Sequence, residues 1–282
     1  MKKPRVLLIY KRSALAMAGK ISGRHHNTRK FLHNHLAHYE ALSSIEKILK
    51  KYDVPYRKYA RGKFKDYSPY DVIVTVGGDG TVLQAARWVN RRQVILGVNS
   101  DPAWSIGEFC CTDAAHFELK LKQLLGSKLK TCRLYKLQIR LKDAGRTRRV
   151  ECLNDILICH ANPAAMSRYA LTIGGVREDQ RDSGIWFSTA AGSTGAMLSA
   201  GGKAMPLSST DFQYHPRELY QVKGVPYRLS GGLVKRPQKA VLVSFMPHGR
   251  VFVDGAHIKF PFTYGSRAEI SLSSNYVQLV HA

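Results

Sequence analysis

Residues 71–81, DVIVTVGGDGT, indicate the fold class of the N-terminal half of the chain. Its first part, Asp71–Val76, is a nearly continuous run of β-branched residues, which is typical of a strand in a parallel sheet covered on both faces. Glycines then interrupt the run, and Val82–Val89 has the pattern of a helix. A strand, a glycine-rich turn and a helix in this order predict an α/β unit.

The turn Gly77-Gly78-Asp79-Gly80-Thr81 is also the sharpest candidate for chemistry. Glycines lack a Cβ atom, so backbone N–H groups can approach a ligand closely, and the N-terminus of the following helix suits phosphate. A carboxylate repels phosphate, so Asp79 suggests a base, a metal-linked group or a hydroxyl acceptor. The alternative is a tight turn in which Asp79 caps the helix. The adjacent glycines favour a function.

The rest of the N-terminal half also fits an α/β fold. Val6–Tyr10 and Val94–Val98 read as strands, an amphipathic helix with apolar residues from Leu32 to Leu49 ends near Tyr52, and a further helix from Phe117 stops at Gly126. These elements predict an α/β, Rossmann-like domain over residues 1–127.

The second half, residues 128–282, has a different character and predicts a β-rich, β-sandwich-like domain. This division leaves open a return of the last residues to the N-terminal domain. One helix is predicted at Ser193–Ala200, and residues 206–238 are hard to assign. The strand-like runs are Leu134–Leu141, Val150–Cys159, Tyr169–Ile173, Ile185–Ser188, Val241–Phe245, Val251–Val253, Ala268–Leu272 and Tyr276–Val280.

Two polar features stand out in the second half. Residues 188–202, STAAGSTGAMLSAGG, are dense in small residues and hydroxyls, which lets a ligand lie against the backbone. A flexible linker is the alternative, but the apolar residues on either side favour an ordered loop. Asn154 and Asp155 lie within an apolar run, where they could hold a ribose hydroxyl or a base edge. A strand-edge bulge or a turn explains that pair nearly as well.

Composition limits the classes of function. The chain has 282 residues and a net charge of +24, and residues 1–70 alone carry 17 Lys and Arg against 4 Asp and Glu. Such an excess suits anionic partners. Five unevenly spaced cysteines argue against a disulfide framework and favour a cytoplasmic setting. No apolar run is long enough for a membrane helix, so no membrane partner is expected.

Five histidines cluster before residue 39, namely His25, His26, His33, His35 and His38. Because no cysteine is near and no acidic residue precedes Glu40, we expect a solvated, basic helix surface there rather than a metal site.

The glycine turn, the Asn154-Asp155 pair and the hydroxyl-rich segment together resemble the motifs of the NAD kinase family. That family has a GGDGT loop after a strand, an Asn-Glu or Asn-Asp pair in the second domain and a long hydroxyl-rich segment. Here they occur in that order, as residues 77–81, 154–155 and 188–202. Residues 96–102 and Ser183-Gly184 look most similar to the NADH kinase-like branch of plants and bacteria. The diacylglycerol and sphingosine kinases share the GGDGT loop but not the long hydroxyl-rich segment.

The resemblance implies transfer of the ATP γ-phosphate, with Mg²⁺ brought by ATP, to the 2′-hydroxyl of the adenosine ribose of NAD or NADH, which forms NADP(H). Asp79 matches the family's essential aspartate, the catalytic group that orients or deprotonates this hydroxyl. No protein metal site is expected. The positions expected to bind substrate are Gly77, Gly78, Gly80, Thr81, Asn99, Asn154, Asp155, Ser193, Thr194, Gly195 and Ser199.

Departures from the family bear on the choice between NAD and NADH. Many members have Tyr where this chain has Ala196, Thr where it has Ala191, and Asn-Glu where it has Asn154-Asp155. The donor, ATP or inorganic polyphosphate, also stays open, and the family favours homodimers or homotetramers. Two alternatives remain: a lipid kinase of the diacylglycerol type, and a non-enzymatic basic protein that binds nucleic acid. The second offers no reason for Asp79 among phosphate-binding glycines.

Overall fold

The computed structural model describes residues 3–18, 28–221 and 226–281. The chain divides into two compact units, one formed by Met1–Arg133 with Val277–Ala282 and the other by Leu134–Tyr276. The domain bounds predicted from the sequence, residues 1–127 and 128–282, stay a prediction. Among the described residues, no helix is long and apolar enough to cross a membrane.

The N-terminal unit is a parallel α/β layer, as predicted. Four parallel strands run in the order β2-β1-β3-β4, and β4 also pairs with the short β5 and with Gln278 and Leu279. Its elements are β1 (Val6–Tyr10), α1 (Ala14–Ala18), α2 (Thr28–Lys51), β2 (Tyr56–Ala60), β3 (Val72–Gly77), α3 (Asp79–Ala86), β4 (Val94–Asn99), β5 (Thr112–Asp113) and α4 (Phe117–Leu125).

Helices bury the central strand of this layer. Every residue of β3 is buried, which confirms the strand predicted from its β-branched run. Its core is shared with α2 through Ile45 and Leu49 and with α4 through Phe117 and Leu121. The predicted helix that ends near residue 52 is confirmed as α2, although its first apolar positions are exposed.

The register of the parallel strands brings the ends of β1, β2 and β3 to the same edge of the sheet. Tyr10 at the end of β1 lies level with Ala60 of β2 and Val76 of β3. The next residue on each strand therefore emerges at the same carboxyl edge of the sheet. In open α/β sheets this is the edge at which ligands bind.

The C-terminal unit places two sheets of mainly antiparallel strands around one core, as the β-sandwich-like prediction requires. One sheet has the order β10-β9-β14-β17, with β6 beside β17 and β7 beside β6, and the other has the order β13-β12-β11-β8-β15-β16. The elements are β6 (Thr131–Asp143), β7 (Arg146–Cys152), β8 (Asp155–His160), β9 (Ser167–Ile173), β10 (Val176–Asp182), β11 (Ile185–Ser188), α5 (Ala196–Ser199), β12 (Phe212–Pro216), β13 (Gly232–Val234), β14 (Ala240–Ser244), β15 (Gly249–Val253), β16 (Ile258–Pro261) and β17 (Arg267–Val280).

Some predicted boundaries were wrong. The run Val150–Cys159 is two strands, β7 and β8, because the chain bends at residues 153–154. The runs after residue 267 form the single strand β17. The predicted helix Ser193–Ala200 is only the one-turn α5, because residues 189–195 form turns held by their own hydroxyls. The unassigned residues 206–238 contain β12 and β13.

Candidate active site

The glycine turn, residues 77–81, is shaped by close packing of its own residues. A Cβ atom on Gly77 would lie 2.4 Å from Oγ1 of the buried Thr81, a distance that no real Cβ contact tolerates. The N–H of Thr81 donates to the carbonyl of Gly78 at 2.8 Å. Gly77 is therefore required by packing, and it brings β3 directly into α3.

Asp79 begins α3, but it does not cap that helix with its side chain. Its carboxylate instead accepts hydrogen bonds from the backbone N–H groups of Phe109, at 2.8 Å, and Glu108, at 3.1 Å. These donors belong to residues 100–109, which we call the 100–109 loop. Burial, with the nearby charge of Asp79, raises the pKa of Cys110 to about 12, so this neighbouring thiol stays neutral. The capping alternative for Asp79 is thus wrong, because its carboxylate ties the loop to the turn.

Asn99 uses its side chain inside the same loop. Its amide nitrogen donates to the carbonyl of Ser105 at 2.7 Å, and its amide oxygen accepts from the N–H of Asp101 at 3.0 Å. A Cβ on Gly107 would lie 2.6 Å from that amide nitrogen, and Gly107 has a φ of +65°. Asn99 therefore shapes the 100–109 loop next to the glycine turn.

The histidine cluster is not a uniformly solvated surface. His38 is fully buried, and its ring contacts the Ser100 hydroxyl at 2.9 Å and the Lys11 carbonyl at 2.7 Å. His35 contacts the Ser13 hydroxyl at 2.7 Å. His25 and His26 lie outside the described residues. The prediction of a solvated surface was therefore wrong for His38, because a polar partner on each ring nitrogen satisfies it inside the protein.

In the C-terminal unit, Asp254 is a candidate site residue that sequence reasoning missed. Its carboxylate accepts N–H groups from Leu153 at 3.3 Å, Asn154 at 2.8 Å and Asp155 at 3.4 Å. It has a φ of +47° in the turn after β15. The Asp-Gly pair at residues 254–255 reads only as a turn, and nothing in the sequence indicates this contact across about a hundred residues.

The Asn154-Asp155 pair holds one unsatisfied buried acceptor and one carboxyl group with a raised pKa. The side-chain oxygen of Asn154 is buried and has no hydrogen-bond partner in the described protein. Asp155 is buried, and this burial, reinforced by the charge of Asp254, raises the pKa of Asp155 to about 7. Buried polar groups left without partners are costly, so an acceptor such as the Asn154 oxygen points to a ligand that would satisfy it.

The hydroxyl-rich segment packs against this pair. The Thr189 hydroxyl donates to the carbonyl of Leu153 at 2.5 Å, and a Cβ on Gly192 would lie 2.3 Å from the carbonyl oxygen of Asn154. Ser193 is buried and donates to the carbonyl of Ala190 at 2.7 Å. The segment is therefore an ordered loop, and a flexible linker is excluded.

The predicted site residues fall into two groups, one in each unit. Three of the C-terminal group face solvent, namely Thr194, Gly195 and Ser199, and the Ser199 hydroxyl donates to the Gly195 carbonyl at 3.4 Å. The N-terminal group comprises Gly77, Gly78, Asp79, Gly80, Thr81 and Asn99. The C-terminal group comprises Asn154, Asp155, Ser193, Thr194, Gly195 and Ser199.

A cavity of about 560 Å³ lies at the end of the hydroxyl-rich segment. Gly201, Met205, Gln213 and His215 are among the residues that line it. Gly201 has a φ of +105°, which favours glycine, and a Cβ there would lie 3.0 Å from Nε2 of His215. The cavity is large enough for part of a nucleotide-sized ligand.

Comparison with known proteins gives consistent matches. The family model described as the ATP-NAD kinase N-terminal domain matches residues 7–126. The NADH kinase of Arabidopsis thaliana is 31% identical over 266 residues, which cover 83% of this chain and 80% of that protein.

Two solved structures share the fold. A yeast NADH kinase complexed with NADH superposes with a TM-score of 0.76 at 16% identity, covering 100% of this chain and 84% of that one. An NAD kinase from Archaeoglobus fulgidus in complex with ATP has a TM-score of 0.71 at 21% identity, covering 98% and 93%. The plant relative is above 30% identity and matches most of this chain and most of its own length. The chain therefore belongs to the NAD kinase family.

Proposed function

We propose that the chain is an NAD(H) kinase that transfers the γ-phosphate of ATP to the 2′-hydroxyl of the adenosine ribose of NAD or NADH, which forms NADP(H). The observation that carries this proposal is the placement of Asp79 in a glycine turn, at the N-terminus of α3, with its carboxylate held by two backbone N–H groups. Family membership and relatives that act on NAD(H) support it.

Asp79 is proposed to accept the proton of the attacking hydroxyl. An ionised carboxylate offers about four lone-pair positions, and the 100–109 loop occupies two of them. No other group in the described part of the chain donates to this carboxylate, so its remaining positions can accept a hydroxyl hydrogen while the loop holds it in place. Because phosphoryl transfer depends mainly on positioning and charge stabilisation, a fixed acceptor of this kind suits the reaction.

The residues present are compatible with Mg²⁺ that is carried by ATP. Across the described ranges, no three His, Cys, Asp or Glu side chains cluster to form a metal site. Magnesium is commonly held by substrate phosphates, waters and one or two carboxylates, and Asp79 is the carboxylate that the glycine turn itself supplies. When bound, the ion would neutralise charge on the phosphates.

The Asn154 pair is proposed to recognise the dinucleotide. The buried side-chain oxygen of Asn154 accepts nothing within the described protein, so a ligand N–H or O–H group would satisfy it. Thr194, Gly195 and Ser199 offer exposed backbone and hydroxyl groups in the same unit. The cavity beside His215 offers further room for the ligand.

The setting and assembly also remain proposals. We propose a cytoplasmic enzyme, which the five free cysteines support, and a homodimer or homotetramer.

The reaction is tested by incubating the protein with NADH, ATP and Mg²⁺, then locating the new phosphate by ³¹P NMR. The new phosphate is expected on the adenosine 2′-oxygen, and no product should form when EDTA is present to remove Mg²⁺. Phosphate on any other oxygen would contradict the proposal.

A further inference from the structure

Two basic side chains lie over the glycine turn. Lys11 follows β1 and Arg61 follows β2, at the carboxyl edge where β3 ends in Gly77. A Cβ on Gly77 would lie 3.5 Å from Cδ of Lys11, and a Cβ on Gly80 would lie 3.2 Å from Nη1 of Arg61. Both cationic side chains therefore reach the turn from neighbouring strands.

The backbone holds both residues at this edge. The N–H of Lys11 donates to the Val76 carbonyl at 3.1 Å, and the N–H of Arg61 donates to the Tyr10 carbonyl at 2.8 Å. The Lys11 carbonyl contacts Nε2 of the buried His38 at 2.7 Å. These contacts fix the backbone positions of Lys11 and Arg61, from which the two side chains extend.

The state of His38 is set by its surroundings. Burial, followed by the charge of Lys11, lowers the pKa of His38 to about 4, so the ring is neutral near pH 7. A carbonyl can only accept, so Nε2 carries the hydrogen and donates to Lys11, while Nδ1 accepts from the Ser100 hydroxyl. A neutral His38 thus supports the Lys11 backbone without adding a competing charge.

Among the described residues, neither side chain has an acidic partner. In the part of the chain that the structure describes, Lys11 and Arg61 make no ion pair with a carboxylate, whereas Lys51 and Lys58 pair with Glu118 and Glu46. Two cations without acidic partners, placed over glycines at a helix N-terminus, form a surface for an anion with several charged oxygens.

We propose that Lys11 and Arg61 bind the phosphate chain of a substrate at the glycine turn, and this inference rests on the proposed kinase function. Lys11 supplies a point charge, and the planar guanidinium of Arg61 can hold two phosphate oxygens. ATP and the dinucleotide both contain phosphoanhydrides. The chain of ATP carries more negative charge, so ATP is the expected ligand.

The test compares Lys11→Gln and Arg61→Gln with a matched control, Lys63→Gln. Lys63 is an exposed basic residue two positions after Arg61. Steady-state assays give KM and kcat for ATP and KM for NADH, and inorganic tripolyphosphate serves as a competitor. Each site variant should raise the KM for ATP and the inhibition constant of tripolyphosphate about ten- to hundredfold. The KM for NADH should stay within about twofold in the same variants, as expected for a residue that does not touch that substrate.

The controls separate this inference from the kinase proposal. Lys63→Gln should keep wild-type constants for both substrates, and Lys11→Arg should recover most of the ATP affinity. Unchanged ATP constants in two folded site variants would overturn the inference while leaving the kinase proposal intact. A rise confined to the KM for NADH would assign the two residues to the dinucleotide instead of ATP. No NADP(H) from the wild-type protein would refute the kinase function itself. Should Lys11→Gln unfold, Arg61→Gln and tripolyphosphate inhibition still decide the matter.

Discussion

The carboxylate of Asp79 accepts a hydrogen bond from the backbone N–H of Phe109 at 2.8 Å, thirty residues along the chain. This bond joins the glycine turn at the end of β3 to the loop that follows β4. It gives Asp79 a fixed orientation without using an acidic or basic partner. A proton acceptor held in this way is oriented before the substrate binds.

Replacing Asp79 tests its role as the base. Asp79→Asn should lower kcat by about 10²- to 10⁴-fold, the usual contribution of a positioned general base, because an amide cannot take the hydroxyl proton. Binding of NADH, measured by fluorescence titration, should be nearly unchanged, since the amide oxygen can still accept one loop N–H. Glu108→Gln is the matched control, because it removes a neighbouring carboxylate but keeps the backbone N–H that Asp79 uses. A wild-type kcat for Asp79→Asn would rule out Asp79 as the base.

The buried oxygen of Asn154 offers a test of dinucleotide binding. Asn154→Leu replaces an acceptor without a partner by an apolar group of similar size, so the thermal midpoint should hold or rise slightly. The dissociation constant for NADH should increase at least about tenfold, because a hydrogen bond to the ligand is lost. Calorimetry on the exposed Asn162→Leu variant provides the comparison. Equal loss of stability and of affinity would instead indicate a structural role.

Two glycines of the hydroxyl-rich segment should respond differently to the same methyl group. A Cβ on Gly192 would lie 2.3 Å from the Asn154 carbonyl oxygen, whereas the nearest atom to a Cβ on Gly195 lies at 3.5 Å. Gly192→Ala should lower the free energy of unfolding by about 1–3 kcal/mol through overpacking, and Gly195→Ala should change it little. Denaturant titration distinguishes them, and equal stabilities would contradict the packing described here.

The raised pKa of Asp155 predicts a pH dependence of stability. Burial first, and then the charge of Asp254, raise this pKa from 3.8 to about 7, so the folded protein binds a proton that the unfolded chain releases between those values. This stabilising contribution is complete below pH 3.8 and is lost as pH rises through 7. Asp155→Asn has no such proton to lose. The melting temperature of the variant relative to wild type should therefore increase from pH 4 to pH 8, and a constant difference would refute the prediction.

Elements with a strong hydrophobic pattern could be predicted from the sequence. Strand β3 is a β-branched run buried along its whole length, and α4 ends at Gly126 as its sequence indicated. Strand β10 was missed because its residues, VREDQRD, are mostly charged, and only its pairing with β9 makes it a strand. Local pattern carries no information about such a partner.

The candidate site shows the same division. Asp79 and Asn154 could be identified because each sits in a short, recognisable motif. The loop donors to Asp79 and the contact of Asp254 with residues 153–155 could not, since both arise from pairing of distant segments. The burial of His38 was missed for the same reason. His38 lies on α2, whereas its partners Ser100 and Lys11 follow the ends of β4 and β1.

Kinase activity is measured by assaying NADP(H) formation with NAD or NADH as acceptor and ATP or inorganic polyphosphate as donor, each with Mg²⁺. NADP(H) is expected from at least one acceptor with ATP, and Asp79→Asn should abolish its formation. A wild-type protein that forms no NADP(H) in any of the four combinations, yet binds DNA or RNA tightly with a steep dependence on salt, would contradict the kinase proposal.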